Sequence, residues 1–302
     1  MSAVETRPAR PDDREAVVAF TRDTWPELGG DYIPDVFDEW VESDGPDQRT
    51  LVACVDDRPV GICQGVLLSA HEAWGQGMRV HPEYRGEGVS EALSEALFEW
   101  TGGRGATVCR TMVFSWNEAG LGQARSVGFE PVTEFRWLEP AADPEAAPGL
   151  EATRDPAVAW SAYRNSDAAR HLEGLGLDLS ESWALAEVTA DRLAAAEASV
   201  AVVDDQRRRG GTYRTRTFER ETDDGGAETW AEYGVGAWTD REILDALSAA
   251  VARDAAEAGA ERARLLVPET PRHVSDAAYA RVPYDDDPDF VLERDLTGYR
   301  GG

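Results

Sequence analysis

The residues from Val80 to Ser90, Val-His-Pro-Glu-Tyr-Arg-Gly-Glu-Gly-Val-Ser, put an arginine, two glycines and a helix start into one short loop. Before the loop, Gln76-Gly77-Met78-Arg79-Val80 alternates like a strand. After it, Val89, Leu93, Ala96, Leu97 and Trp100 recur at helical spacing. The chemistry this arrangement suits is anion capture. The first backbone N–H groups of a helix lack intrahelical partners, and the helix dipole adds partial positive charge there. Gly86 and Gly88 allow a close backbone approach because no Cβ intervenes. Arg85 adds a fixed charge that reaches a phosphate, and a pyrophosphate is the ligand such a loop fits. The other use of the same glycines is steric, a tight strand-to-helix turn and nothing more.

The stretch resembles the acetyl-coenzyme A loop of the GCN5-related N-acetyltransferase (GNAT) family, V-x-P-x-x-R-G-x-G-[IV]-[GA]. It agrees everywhere except the last position, where Ser90 stands in place of Gly or Ala. The resemblance implies acetyl-CoA as co-substrate, held by Arg85, Gly86, Glu87, Gly88, Val89 and Ser90. Backbone groups of Met78, Arg79 and Val80 on the preceding strand would hold its pantetheine arm and carbonyl. A second mark is Asn117 followed by Gly128-Phe129, like N-x(10)-G-F. In the family the asparagine lies near the pantetheine arm, whereas in this chain it can equally be structural. Gly128 reads as a left-handed helix end and Phe129 as a core plug.

The elements that must position these residues follow from periodicity and turn signals. A strand from Val4 to Arg10 precedes a helix capped by Asp12, which Pro26 and Gly29-Gly30 break. A short helix from Pro34 to Val41 comes next. Strands are predicted over Thr50–Val55, Val60–Ser69 and His71–Val80. After the loop come a helix to Gly102, a strand over Thr107–Ser115, a helix over Glu118–Val127 and a strand over Val132–Leu138. The order β-α-α-β-β-β-α-β-α-β across residues 4–139 is that of the GNAT family. Glu139–Gly149, rich in Pro and Ala, reads as a linker. Beyond it a helix is expected over Ser180–Ala195. Strands are expected over Ser199–Val203, Thr212–Glu221 and Thr229–Trp238, with Asp223-Asp224-Gly225-Gly226 as a hairpin turn. The remaining elements are a helix over Arg241–Ala258, a strand over Ala263–Val267, a helix over Arg272–Ala280 and a last strand over Phe290–Leu296. The second half repeats the element order but enters its long helix through Trp238 and Asp240-Arg241-Glu242, with no glycine. The expectation is an α/β (α+β) chain of GNAT fold with a mixed central sheet and two tandem domains. Residues 1–140 would be catalytic, and 150–302 a degenerate copy without a coenzyme loop.

Acetyl transfer to an amine needs a polarised thioester carbonyl, a neutral amine and a proton for the leaving thiolate. On an unbroken strand the side chains at 72, 74, 76, 78 and 80 share one face. Where some relatives carry a catalytic glutamate this chain has Trp74. That leaves Glu72, directly or through a water oriented by Gln76, as the candidate base, although a surface acid is the alternative reading of Glu72. The tyrosine that many relatives place four residues before Gly-Phe is Ala124 here, so the usual acid is missing. The acceptor is expected against the two early helices, among Trp25, Tyr32, Phe37, Trp40 and Trp74, with Gly29–Asp31 as a movable lip. The phrases Gly30-Asp31-Tyr32-Ile33-Pro34 and Gly77-Met78-Arg79-Val80 resemble the branch that contains histidine N-acetyltransferases, which implies a small amino acid or amine as acceptor, and a peptide amine stays open beside it. A non-catalytic acyl-CoA-binding or scaffolding protein is the competing reading.

Composition bounds the rest. The 302 residues carry 58 acids against 30 basic residues, all of them arginine, for a net charge of −28. Acids are interleaved with periodic apolar residues, which predicts folded domains with acidic surfaces suited to concentrated salt, hence an extreme halophile. So negative a chain is a poor partner for nucleic acid. No apolar run reaches the ~18 residues of a membrane span, and the first residues carry no signal-peptide pattern, so a cytoplasmic protein is expected. Cys54, Cys63 and Cys109 read as buried thiols, and no metal site is expected.

Overall fold

A computed structural model describes residues 3–25, 30–205, 207–222 and 225–299. The chain forms two compact units. One takes in Met1–Val113, Asn117–Pro131 and Leu292–Gly302, and the other Phe114–Trp116 and Val132–Val291.

The first unit contains β1 (Glu5–Pro8), α1 (Arg14–Thr21), α2 (Ile33–Ser43), β2 (Gln48–Val55), β3 (Arg58–Leu67), β4 (Glu72–Val80), α3 (Val89–Gly102), β5 (Val108–Phe114, in this unit to Val113) and α4 (Glu118–Ser126). With β6 (Glu130–Leu138) this is the element order predicted for residues 4–139. The strands β1 to β4 pair antiparallel with their neighbours, and β5 joins β4 in parallel. Asp13 rather than Asp12 organises the entry to α1. Its carboxylate accepts two bonds from Arg7, both at 2.7 Å, and one from the Arg10 amide at 2.8 Å. Ile33 and Phe37, one turn apart on α2, are buried with Val17, Phe20, Val52 and Ile62 in the core beneath α1 and α2. The three cysteines are buried free thiols.

The pairing of β3 with β4 has one irregularity. Ile62 faces Arg79 and Gln64 faces Gln76, so β4 spends one residue more than β3 between these pairs. The extra residue is a β-bulge at Gly77, whose φ of +65° lies in the left-handed region.

The second unit contains the rest of β6, from Val132, then β7 (Glu151–Thr153), α5 (Pro156–Tyr163), α6 (Asp167–His171), β8 (Leu175–Leu177), β9 (Leu185–Glu187), α7 (Ala190–Ala195), β10 (Ala198–Val203), β11 (Arg209–Glu221), β12 (Ala227–Val235), β13 (Ala237–Trp238), α8 (Arg241–Glu257), β14 (Arg262–Pro268), α9 (Pro271–Ala280) and β15 (Asp289–Asp295) to Val291. From Leu292, β15 belongs to the first unit, where it lies next to β5. In the second unit β6 pairs antiparallel with β14, from Leu138–Leu265 to Phe135–Pro268.

Two expectations fail here. The segment 180–195 is helical only over Ala190–Ala195, because Leu185–Glu187 pairs with Leu175–Leu177 as a small hairpin. The stretch 139–149 is not a loose linker. Ala142 N donates to Glu261 O at 3.3 Å and Asp143 N to Ala252 O at 3.0 Å, and Ala141 bridges to Arg262. The turn residues Asp223 and Asp224 lie outside the described residues. Among the described residues no helix is long and apolar enough to cross a membrane.

Candidate functional site

The loop between β4 and α3 is built for exposed amides. Pro82–Tyr84 make one 3-10 turn, with His81 Nδ1 accepting from Glu83 N at 3.2 Å. Gly86 and Gly88 then take φ of +80° and +82°, a conformation that costs a residue with a Cβ about 1–2 kcal/mol. A Cβ on Gly86 would meet nothing within 4 Å, and one on Gly88 only Glu91 Oε2 at 3.8 Å. The space over the loop is therefore open, as an approaching phosphate requires. Gly88 starts α3 with no side-chain cap, so the amides of Val89, Ser90 and Glu91 project from the helix end. The Val89 side chain is buried, and a Cβ on Gly61 would lie 2.7 Å from its Cγ1, so α3 packs directly on the β3 backbone. Arg85 and Glu87 are exposed, and among the described residues Arg85 makes no ion pair. In sequence Glu87 and Glu91 flank these amides, and Arg85 precedes them.

Beside the loop the sheet opens. β4 and β5 pair only from Glu72–Val108 to Trp74–Arg110 among the described residues. Beyond that point Gln76–Val80 leaves β5 and stays paired with β3 on its other edge, so the edge toward β5 borders a gap. The bulge also resets which way the side chains point. Gln76 and Arg79 are cross-strand partners of Gln64 and Ile62 and share the face toward α1 and α2. Met78 and Val80 fall on the α3 face. The predicted common face of residues 72, 74, 76, 78 and 80 therefore holds to Gln76 and fails at Met78 and Val80.

Glu72 is not a surface acid. It is 1% exposed, accepts from Arg110 Nη1 at 2.8 Å and from Ser69 Oγ at 3.0 Å. Gln76 Nε2 donates to Gln64 Oε1 at 2.8 Å, Gln64 Nε2 to Thr50 Oγ1 at 3.2 Å, and Thr50 Oγ1 to Asp44 Oδ1 at 3.1 Å. This chain fixes the Gln76 amide, since a carboxylate at its far end can only accept. Trp74 is buried.

Asn117 caps α4, with Oδ1 accepting from Gly120 N at 2.9 Å, so the structural reading accounts for that oxygen. Gly128 takes φ +86°, and Phe129 packs edge-to-face on Phe98 with ring centroids 5.5 Å apart. Ala124 is buried, so no hydroxyl occupies the position of the usual acid.

Of the aromatic residues expected around the acceptor, Phe37 is core. Trp25, Tyr32 and Trp40 converge on the bulge. A Cβ on Gly77 would lie 2.5 Å from the Trp40 ring. Tyr32, 44% exposed, meets Trp40 edge-on with centroids 6.0 Å apart. The Arg79 guanidinium lies 4.5 Å from the Trp25 ring centroid and 5.5 Å from that of Tyr32. Pro26 and Gly29, part of the predicted helix break and lip, lie outside the described residues. The reading from sequence missed the ion pair that anchors this group. Arg79 Nε donates to Asp31 Oδ2 at 2.6 Å and Nη2 to Oδ1 at 3.1 Å. Its two members stand in the two phrases Gly30–Pro34 and Gly77–Val80, and the opposite charges in that pair of phrases were the available signal.

The corresponding place in the second unit is built differently. β12 and β14 stay paired from Trp230–Arg262 to Val235–Leu266, and Gly236 N still donates to Leu266 O at 2.8 Å. No gap opens there. Asp240 caps α8 through bonds from Glu242 N at 3.1 Å and Ile243 N at 3.3 Å. Arg208 is taken up by Asp204, Asp240 and Glu242 at 2.7, 3.1 and 2.9 Å.

Residues 14–129 match the acetyltransferase (GNAT) family. No curated protein matches the chain. Among solved structures, a GCN5-related N-acetyltransferase from Sphaerobacter thermophilus is similar over 99% of this chain and 96% of its own, at 16% identity and a TM-score of 0.60. An acetyltransferase candidate from Pyrococcus horikoshii is similar over 98% of this chain and 90% of its own, at 16% identity and a TM-score of 0.50. At these identities the likeness is one of fold, and it extends over both units.

Proposed function

The chain carries a domain of the GNAT family over residues 14–129, and from that premise we propose that it is an acetyl-CoA-dependent N-acetyltransferase acting on the amine of a small or peptide acceptor. The observation that carries this reading is the uncapped start of α3 behind two left-handed glycines, next to the gap between β4 and β5. Acetyl-CoA supplies the activated acetyl group. The amides of Gly88, Val89 and Ser90, with Arg85, hold its pyrophosphate. The main chain of Met78–Val80 orients the pantetheine arm and polarises the thioester carbonyl, a fixed donor array that needs no reorganisation during reaction.

The acceptor lies on the α1–α2 side of β4, by Trp25, Tyr32 and Trp40, with its nitrogen directed at the carbonyl. Gln76, fixed through Gln64 and Thr50, orients the amine or a water beside it. With Glu72 engaged by Arg110, the proton from the ammonium leaves through solvent, and solvent also protonates the departing thiolate in the absence of a tyrosine at 124. The test is a screen of free amino acids, polyamines and peptide N-termini for CoA release in high salt. Binding without turnover on any acceptor favours the second reading, a non-catalytic acyl-CoA-binding protein, for which the buried Ala124 is the motive.

The second unit, in this reading, is a degenerate acetyltransferase-like domain that binds no acyl-CoA. Its β12–β14 pairing is closed and its helix start is capped and acidic. A cytoplasm of high salt is the compartment that fits the all-arginine, strongly acidic composition.

A further inference from the structure

Arg79 belongs to two parts of the first unit at once. The Gly77 bulge turns its side chain toward α1 and α2, while its main chain stays on the strand that borders the gap. The guanidinium forks onto Asp31 and lies against the rings of Trp25 and Tyr32, and its Nη1 donates to Met78 O at 3.0 Å. Asp31, whose side chain has 0% exposure, also accepts from Ile33 N at 3.2 Å. Ile33 is the first residue of α2, the helix that carries Trp40.

The peptide plane links these contacts. A trans peptide holds its C=O and N–H antiparallel in one rigid unit. The register with β3 turns the Arg79 N–H toward Ile62, so across the same bond Met78 O faces away from β3, where the guanidinium grips it. This is the Met78–Arg79 peptide assigned above to the pantetheine and carbonyl. Reorienting it moves the guanidinium, and through Asp31 the start of α2.

We propose that Arg79 is a positioning residue that couples the two substrate sites, so that coenzyme binding fixes the start of α2 and completes the acceptor wall. This rests on the acyl-CoA reading of the loop. By reciprocity a bound acceptor tightens the coenzyme. The specificity device is the Arg79–Asp31 latch, and the acceptor is an amine that packs against Tyr32 and Trp40.

Hydrogen exchange with CoA as the probe tests the coupling without knowledge of the acceptor. In the wild type, CoA slows exchange in peptides covering 85–91 and also in those covering 30–40. Asp31→Asn keeps an oxygen for the Ile33 amide but loses the ion pair, and Arg79→Lys keeps the charge but loses the fork. In either variant that melts as a folded protein, protection at 85–91 persists and the response at 30–40 is lost. With an acceptor that turns over, the acceptor KM rises about 5- to 150-fold, the usual range of coupling between sites, and by the same linkage the gain in coenzyme affinity on adding acceptor shrinks by a like factor. Protection at 85–91 with no response at 30–40 in the wild type overturns the coupling alone, as does an undiminished response in both variants. No protection at 85–91 in the wild type brings down the loop reading and the coupling together.

Discussion

Replacing Glu72 with glutamine separates a chemical role from a structural one. The change keeps the shape and removes the charge. In the structure that charge faces Arg110, whose side chain is 9% exposed and whose other carboxylate contact, Glu293, is 40% exposed at 3.3 Å. Glu293 is too wet to neutralise a buried guanidinium by itself. Removing one partner of a buried pair costs about 3–5 kcal/mol, because the other charge stays buried. At roughly 2–4 °C per kcal/mol for a unit of this size, the melting temperature falls by about 6–20 °C. The expectation is therefore a large thermal shift in high salt, with kcat near wild type at temperatures where the variant is folded. The double change Glu72→Met with Arg110→Met removes both charges at similar volume and recovers most of the loss. The assays are thermal unfolding and kcat against pH for wild type, single and double variants. The reasoning is refuted if the single variant melts within 2 °C of wild type, a threshold taken from roughly 1 kcal/mol, while kcat drops by about 10²–10⁴, the range for a lost general base.

Arg85→Ala together with Gly88→Asp should abolish acetyl-CoA binding. The first removes a charge-assisted contact of about 1.5–3 kcal/mol and the second adds a third carboxylate beside Glu87 and Glu91, so unchanged affinity by calorimetry sinks the loop assignment. Calorimetry should also return one acetyl-CoA per chain, and two equivalents would mean that the second unit holds a coenzyme despite its capped helix. Burial, with Asp285 close by, pushes Asp289 up to about 7. The folded state thus keeps a proton there that the unfolded chain has released, and this contribution to stability falls as pH rises from the ordinary carboxylate range through 7. Asp289→Asn should flatten that fall, as read from denaturant midpoints between pH 4 and 8. The shift of His273 down to about 4 works in the opposite sense and is common to both proteins, so the difference between them is the test. Molar KCl should raise the melting temperature, because the Debye length shrinks from about 10 Å at 0.1 M to about 3 Å at 1 M, and equal melting in dilute buffer would remove the halophilic reading.

The element order of the first 139 residues is legible from periodicity because its helices and strands are long and bounded by Gly, Pro and Asp. The loop is legible because its glycines are demanded by backbone angles and not by packing. What periodicity hides is anything that shifts its phase. One glycine at 77 sends Arg79 to the opposite face from the one that strict alternation gives it, and a glycine inside a strand was the only mark of it. Partners remote in sequence are hidden too. Glu72 reads as an exposed acid until Arg110, 38 residues later, is seen to hold it. Short elements fare worst. Leu175–Leu177 and Leu185–Glu187 are too brief to show a period, and Ser180–Ala195 reads as one helix in their place.

The position of β15 governs when the protein can become itself during synthesis. Domains generally fold as they emerge, the N-terminal one first, at about 5–20 residues added per second. Here the first unit needs Leu292–Asp295 next to β5, with Leu296 N bonded to Thr107 O at 2.8 Å and Arg294 donating to Gly128 O at 3.3 Å. While the ribosome is still making the second half, β5 has an unfilled flank, and any chain released early keeps it. Such an edge is a template for pairing with another chain. A nascent or truncated chain ending near Leu138 is thus exposed to association with its neighbours on the polysome, and completion of the last strand is the event that closes it.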